Sequence, residues 1–250
     1  ESIDIDALLG IAASAPKLYG KLPQINTVTD GEPRVAVAQD RAFCFYYHDN
    51  LALLERMGAK IVLFSPLNDK HLPGDASALY LGGGYPELYA NVLSENASML
   101  QSVYNAVKNG MPALAECGGF LYLQETLEDN RGISHKMAGL LNGHGYKTSK
   151  LNRFGYLHLT ARTDTVLCSA GETIAGHEFH YWDTTHTSGA CTARNAEGRT
   201  WACVDASNML FAGFPHIYFY NNPAFAARFV TAASVYKEQN HGKNQDHYRT

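Results

Sequence analysis

Charge is scarce in this sequence and neither sign dominates. Charged residues make up 18% of the chain, below the usual quarter, and 20 basic against 24 acidic side chains leave a net charge of −4. There is no Lys/Arg run to neutralise phosphates, which argues against a nucleic-acid or anionic-membrane partner. No apolar stretch approaches the roughly 20 residues that a membrane-spanning helix needs, and Glu1–Gly10 is acidic where a signal peptide would be basic. The five cysteines, Cys44, Cys117, Cys168, Cys191 and Cys203, form no CxxC pair. An odd, scattered set suits neither a disulfide framework nor a zinc site, and we expect no metal, a reducing compartment and a cytoplasmic location. GxxxxGK[ST] is missing as well, so no phosphate-binding loop is expected in this chain.

What remains is an ordinary globular composition, 46% apolar with 22 Gly and 9 Pro. Residues 1–32 carry an acidic, apolar patch followed by weakly patterned sequence and read as a linker or tail. The chain starts with Glu1 and not Met, so we expect a piece of a longer protein. From residue 33 the texture changes. Arg34–Gln39 is a short β-branched run, and Ile61–Phe64, Ala78–Leu81 and Pro112–Ala115 are short apolar runs that read as further strands. Between them lie helical spacings: Leu51, Leu54 and Met57, then Met99, Leu100, Val103 and Val107, closed by Gly110 as a C-terminal cap. Strands alternating with helices predict an α/β fold, a mostly parallel sheet with helices on both faces. Beyond Gly139 the pattern turns strand-rich, with Tyr156–Thr160, Thr173–Tyr181, Thr200–Val204 and Met209–Phe214. A helix over Pro223–Tyr236 follows, with Phe225, Phe229 and Val230 on one face. The domain is expected to span 33–238, and 239–250 to form a polar, frayed tail.

Cys117 carries the strongest chemical signal. It follows the strand Pro112–Ala115 in Ala115-Glu116-Cys117-Gly118-Gly119. A nucleophile on a strand-to-helix elbow needs small neighbours, because the backbone turns sharply there and projects the side chain from the sheet edge. The N–H groups opening the next helix then favour the thiolate. The bland alternative is a buried structural cysteine. Gly82-Gly83-Gly84-Tyr85-Pro86-Glu87 follows another strand, and its glycines let the backbone approach a ligand and offer N–H groups to an oxyanion, unless they merely form a tight turn. Among eleven histidines, His216 is the candidate base, since it comes at a late strand end, far in sequence from the cysteine it would serve. His177 and His180 invite a metal reading, but residues three apart on a strand point to opposite faces.

These pieces together resemble the glutamine amidotransferase domain of the cobyrinic acid a,c-diamide synthase family. The resemblance rests on Val37–Asn50 (VAQDRAFCFYYHDN), Phe64–Leu67 (FSPL), Leu81–Glu87 (LGGGYPE), Ala115–Phe120 (AECGGF), Met137–Leu141 (MAGLL), Gly176–Tyr181 (GHEFHY) and His216 with Asn222-Pro223. It implies a flavodoxin-like class I glutamine amidotransferase that takes L-glutamine. Cys117 is then the nucleophile, His216 its activator, and Gly83, Gly84 and Gly118 hold glutamine and the oxyanion. An ATP- and Mg2+-dependent synthetase domain outside this chain would amidate a corrinoid precursor such as cobyrinic acid; related enzymes amidate other tetrapyrroles, hydrogenobyrinic acid and a nickel sirohydrochlorin. Residues 1–32 would be the tail of that domain. Tyr46, Tyr47, Asn50, Tyr85, Tyr156, His177 and His180 are expected at the substrate or at the joint between domains. The class triad reads His-x-Glu, and here Tyr218 takes the place of the carboxylate, so a Cys-His dyad is expected. Two other readings compete. One is a stand-alone cysteine hydrolase of the intracellular-protease or deglycase type, which would need no partner. The other is a binding module with a dead site, which an intact Cys117 and His216 weigh against.

Overall fold

A computed structural model describes residues 3–20 and 23–245, with side chains to residue 240. Its centre is a six-stranded sheet in the order Asp205–Ala206, Leu210–Gly213, Ala113–Glu116, Ala78–Leu81, Arg34–Ala38, Lys60–Phe64. All neighbours run parallel except the edge strand Asp205–Ala206. The predicted strands are all present, with ends shifted by at most three residues, as where Tyr156–Thr160 extends to Arg153–Ala161.

Alternation along each strand feeds two cores. Val35, Val37 and Leu114 pack with Leu53 and Leu54 of the helix His48–Arg56, and with Phe225, Phe229 and Val230 of the last helix. Ala36, Ala38, Ala113 and Ala115 face Met99, Leu100 and Val103 of the helix Ala97–Lys108. The fold is therefore a flavodoxin-like α/β sandwich, and both faces of its sheet are dry, as a parallel sheet requires. Gly110 ends the helix Ala97–Lys108 at φ +90°, the left-handed cap its sequence announced.

The strand-rich half builds two further sheets. Thr200–Cys203, Cys191–Asn195, Arg153–Ala161, Thr173–His180 and His216–Ile217 form an antiparallel five-stranded sheet. Leu157, Leu159 and Ile174 of this sheet join the core beside the last helix. A four-stranded sheet combines Trp182–Thr184, Leu141–Lys147, Gln124–Glu128 and Ser134–Lys136. The sequence pattern leaves that sheet unassigned, since three of its strands are short and polar and the fourth carries two glycines.

Two boundaries are corrected. Within 1–32, Ile5–Ser14 is a helix and not featureless linker: the Asp4 carboxylate caps it by accepting from Ala7 N (3.0 Å), although none of its residues is buried. The last helix runs Pro223–Gln245, so most of the expected polar tail continues it. Residues 246–250 lie outside the described residues.

Candidate active site

Strand Ala113–Glu116 ends at the sheet's carboxyl edge, where open α/β sheets place their ligands. The chain then turns at Cys117, which has φ 46° and ψ −102°, and enters the short helix Gly118–Tyr122. A non-glycine residue rarely accepts that backbone, which costs of order 1–3 kcal/mol and persists only where the surroundings enforce it. Enforcement comes from Cys117 N donating to Gly213 O (2.8 Å) and Gly119 N donating to Gly82 O (2.9 Å). The elbow tolerates no larger neighbour: a Cβ on Gly119 would come 2.2 Å from Leu81 O, and one on Gly118 2.9 Å from Pro86 Cδ. The two glycines that follow Cys117 are thus a steric requirement of the turn.

His216 begins the two-residue strand His216–Ile217 at the edge of the antiparallel sheet, paired with His177. Its ring lies against Gly83, whose missing Cβ leaves room for His216 Cε1; a Cβ there would approach to 2.3 Å. Phe45 meets the same ring edge-on, and His177 stacks over it with centroids 5.0 Å apart. Behind the imidazole stands a carboxylate. Glu116 Oε2 is 3.6 Å from His216 Nδ1, and both side chains are almost wholly buried. Glu116 is itself fixed from two directions, accepting from Tyr80 Oη (3.0 Å) and from Ile217 N (3.0 Å). The expected dyad thus has a buried carboxylate close by, though beyond hydrogen-bond length of the ring. The His-x-Glu position is indeed Tyr218, which points away and donates to Asp49 (3.0 Å). An acid reaches the imidazole from the residue preceding the cysteine instead.

Electrostatics follow from this packing. Burial works against a charge on His216, but the neighbouring Cys117 and Glu116 overcome it and raise its pKa to about 10. An imidazolium is the form at neutral pH. His177 moves the other way, lowered by burial and by the His216 charge, so the stacked pair holds one proton-rich and one neutral ring. Cys191 is pushed up to about 12 by burial, and burial also raises Cys203, Cys168 and Cys44.

Cys117, His216, Gly84 and Gly118 line one cavity of ≈ 170 Å3, together with Tyr85, His177 and His180. Gly118 opens its helix, so its N–H has no intrahelical partner and is free for an oxyanion. Gly83 does not line the cavity; it is the floor under the His216 ring. Tyr47 reaches the site through a 2.8 Å hydrogen bond between its hydroxyl and His177 Nδ1. Tyr156 is exposed beside His177, at the mouth. His180 is buried, stacks on Phe214 (3.9 Å) and donates from Nδ1 to Trp182 O (2.7 Å), so the two histidines do not converge as a ligand pair.

Two expected contact residues are corrected to structural ones. Asn50 is fully buried and both ends of its amide are used, donating to Ile217 O (2.8 Å) and accepting from Phe219 N (2.9 Å). It clamps the strand that carries His216. Tyr46 donates to Ala38 O and accepts from Gly82 N (2.9 Å), which holds the triple-glycine loop in place. Sequence reasoning misses Glu116 and Glu87. For Glu116 a signal exists: a lone acid closing an otherwise apolar buried strand is a costly placement that asks for a reason.

Comparison with known proteins is consistent with this geometry. The CobB/CobQ-like glutamine amidotransferase domain family matches residues 34–224. A cobyrinate a,c-diamide synthase of Salmonella typhimurium is 40% identical over 239 residues, covering 93% of this chain and 52% of that protein. One from Caldanaerobacter subterraneus is 37% identical, covering 94% and 52%. The chain thus spans about half the length of these curated relatives. Among solved structures, a glutamine amidotransferase superposes with TM-score 0.52 at 15% identity, over 80% of this chain and 98% of that one. The PurLQS structure from Thermotoga maritima superposes with TM-score 0.50 at 17% identity, over 82% and 98%. At such identities these structures speak to the fold alone.

Proposed function

The chain belongs to the CobB/CobQ-like glutamine amidotransferase family, and from that membership we propose that Cys117 and His216 release ammonia from glutamine for use by an ATP-dependent cobyrinic acid a,c-diamide synthase. The observation that carries the reading is the strained elbow at Cys117, set in one cavity with a buried, acid-backed His216.

Chemistry follows from the positions. The Cys117 sulfur attacks the side-chain carboxamide carbon of glutamine, and the carbonyl oxygen gains negative charge. N–H groups at Gly118 and in the Gly84 loop are oriented before the reaction, so they stabilise that charge without reorganising. His216 gives its proton to the departing nitrogen; ammonia leaves and a glutamyl thioester remains. The now neutral imidazole takes a proton from water, hydroxide adds to the thioester, and glutamate leaves as the sulfur is restored. Glu116 holds the imidazole and balances its charge throughout.

Amidation needs an activated carboxylate, and no GxxxxGK[ST] loop occurs in these 250 residues. ATP, Mg2+ and the corrinoid acid are therefore assigned to a synthetase portion outside this chain. Tyr85, Phe179 and Tyr181 at the cavity rim, with Phe154 and Tyr156 beside them, leave an exposed aromatic surface. A face of this kind suits docking of that portion over the cavity, which would keep ammonia from bulk solvent. Since Glu116 already backs His216, docking is expected to act on the open mouth and the oxyanion loop more than on the imidazole.

The test compares glutamine hydrolysis by this chain with that of the complete protein supplied with ATP, Mg2+ and cobyrinic acid. The complete, liganded protein should be faster by about tenfold or more, as expected where closure completes a site. Equal rates would sink the gating. Ammonia release that survives Cys117→Ala would sink the amidotransferase assignment itself.

A further inference from the structure

The catalytic cavity has one more ionisable group for which the hydrolytic chemistry has no use. Glu87 lies in the single turn Pro86–Leu88, three residues after the last glycine of the oxyanion loop. It is buried, 8% exposed, and lines the same cavity as Cys117. Among the described residues no side-chain hydrogen bond and no ion pair engages its carboxylate; its own backbone N–H is all that favours the charge. Glu87 is the cavity's one carboxylate, and no Lys or Arg lines the cavity. Its other ionisable lining groups are cysteines, tyrosines and three imidazoles, and of these His216 already faces Glu116 and the thiol.

A buried carboxylate without a partner is expensive, and proteins keep one where a cation or a proton arrives to meet it. Glutamine supplies such a cation. Its carboxamide must lie at Cys117, and its far end carries an α-ammonium along with an α-carboxylate. We propose that Glu87 is the receptor for the α-ammonium of glutamine, holding the substrate by the end that does not react and fixing its register so that the carboxamide meets Cys117. The assignment rests on the glutaminase reading of the same cavity.

Placement in the loop strengthens it. Pro86 packs against Gly118 and Gly84 contributes to the cavity wall, so the segment that carries Glu87 also shapes the oxyanion site. A ligand gripped at Glu87 therefore bears on the loop that must be ordered for catalysis. Burial has already raised the carboxyl to about 7, poised so that an arriving ammonium can shift it fully to the charged form. An amide lacking an α-amino group would find a buried, half-protonated acid and gain nothing from it.

The experiment compares ammonia release from glutamine and from its des-amino analogue, glutaramate. It uses the full chain, as wild type, Glu87→Gln and Glu87→Asp. Wild type should favour glutamine, and Glu87→Gln should shrink that preference by about ten- to a hundredfold, mostly through KM, the size of one charge-assisted hydrogen bond. Glu87→Asp keeps the charge and should restore part of the preference, which a merely structural role would not do. A Glu87→Gln enzyme that discriminates as well as wild type, or that loses both substrates equally while Glu87→Asp behaves the same way, overturns the assignment. Release from neither substrate by wild type overturns the glutaminase reading and this inference with it.

Discussion

Replacing His216 by Ala is expected to lower glutamine turnover by about a hundredfold or more. The substitution removes an imidazole whose raised pKa keeps it protonated at neutral pH, and with it the acid that the proposed mechanism uses to release ammonia. His177 cannot take over. Its ring is neutral, displaced to the outer side of the stack and tied to the Tyr47 hydroxyl. His177→Ala should therefore cost much less, and His180→Ala should act through packing on Phe214, its stacking partner. Turnover of the three variants, each checked for an unchanged fold by circular dichroism, decides the matter. Equal losses for all three would mean that the wrong histidine has been paired with the thiol. The sign of the pH profile is fixed too. His216 has a raised pKa, so its protonated form is complete at neutral pH and is lost as pH rises through about 10, and the limb it controls lies on the alkaline side.

The second large effect is expected at Glu116. In a serine protease triad, removing the orienting carboxylate's charge costs about ten-thousandfold. Here the carboxylate stands 3.6 Å from Nδ1, beyond ordinary hydrogen-bond length, and shares its charge with Tyr80 and Ile217. A smaller loss follows, about a hundredfold for Glu116→Gln. The variant keeps an amide oxygen to accept from Ile217 N, so the strand that carries His216 should stay in place. The distinguishing readout is the pH profile. Without the negative charge beside it, His216 holds its proton less tightly, so the alkaline limb must move to lower pH. A variant whose rate falls without any movement of that limb would show Glu116 to be a scaffold residue and not the partner of the imidazole.

How much of this is legible in the sequence depends on how local each feature is. The parallel strands, the elbow at Cys117 and the helix carrying Phe225 and Phe229 are written in short-range patterns, and the structure has them at those places. Glu116 shows in sequence only as a lone acid closing an apolar strand, which asks for a reason without supplying one. Its meaning depends on Ile217 and His216, a hundred residues away, on a different sheet that no local period reveals. Asn50 and Tyr46 mislead for the opposite reason. Their segment resembles a family motif, and motif residues suggest contacts, yet Asn50 hides both ends of its amide in backbone hydrogen bonds. The four-stranded sheet is invisible in sequence because three of its strands are short and polar and the fourth, Leu141–Lys147, is interrupted by Gly143 and Gly145. Gly143 faces Gln124 across a gap that no Cβ could enter, which explains a glycine in that strand but announces nothing in sequence.

The claim on which everything else depends is that Cys117 is the nucleophile, and the most direct test is competition among the five cysteines. Brief exposure to a diazo-ketone analogue of glutamine, followed by mass spectrometry of the digest, reports which sulfur reacts. Cys168, Cys191 and Cys203 are buried away from solvent. Cys44 is the one serious rival, being exposed at the rim of the same cavity, but burial of its sulfur and the nearby Asp40 make its thiol harder to ionise. Cys117 lies in the same cavity at the strained elbow, beside His216. The account predicts rapid modification confined to Cys117 and abolished by excess glutamine. Dominant labelling of Cys44, or labelling of Cys117 that glutamine does not slow, would contradict it.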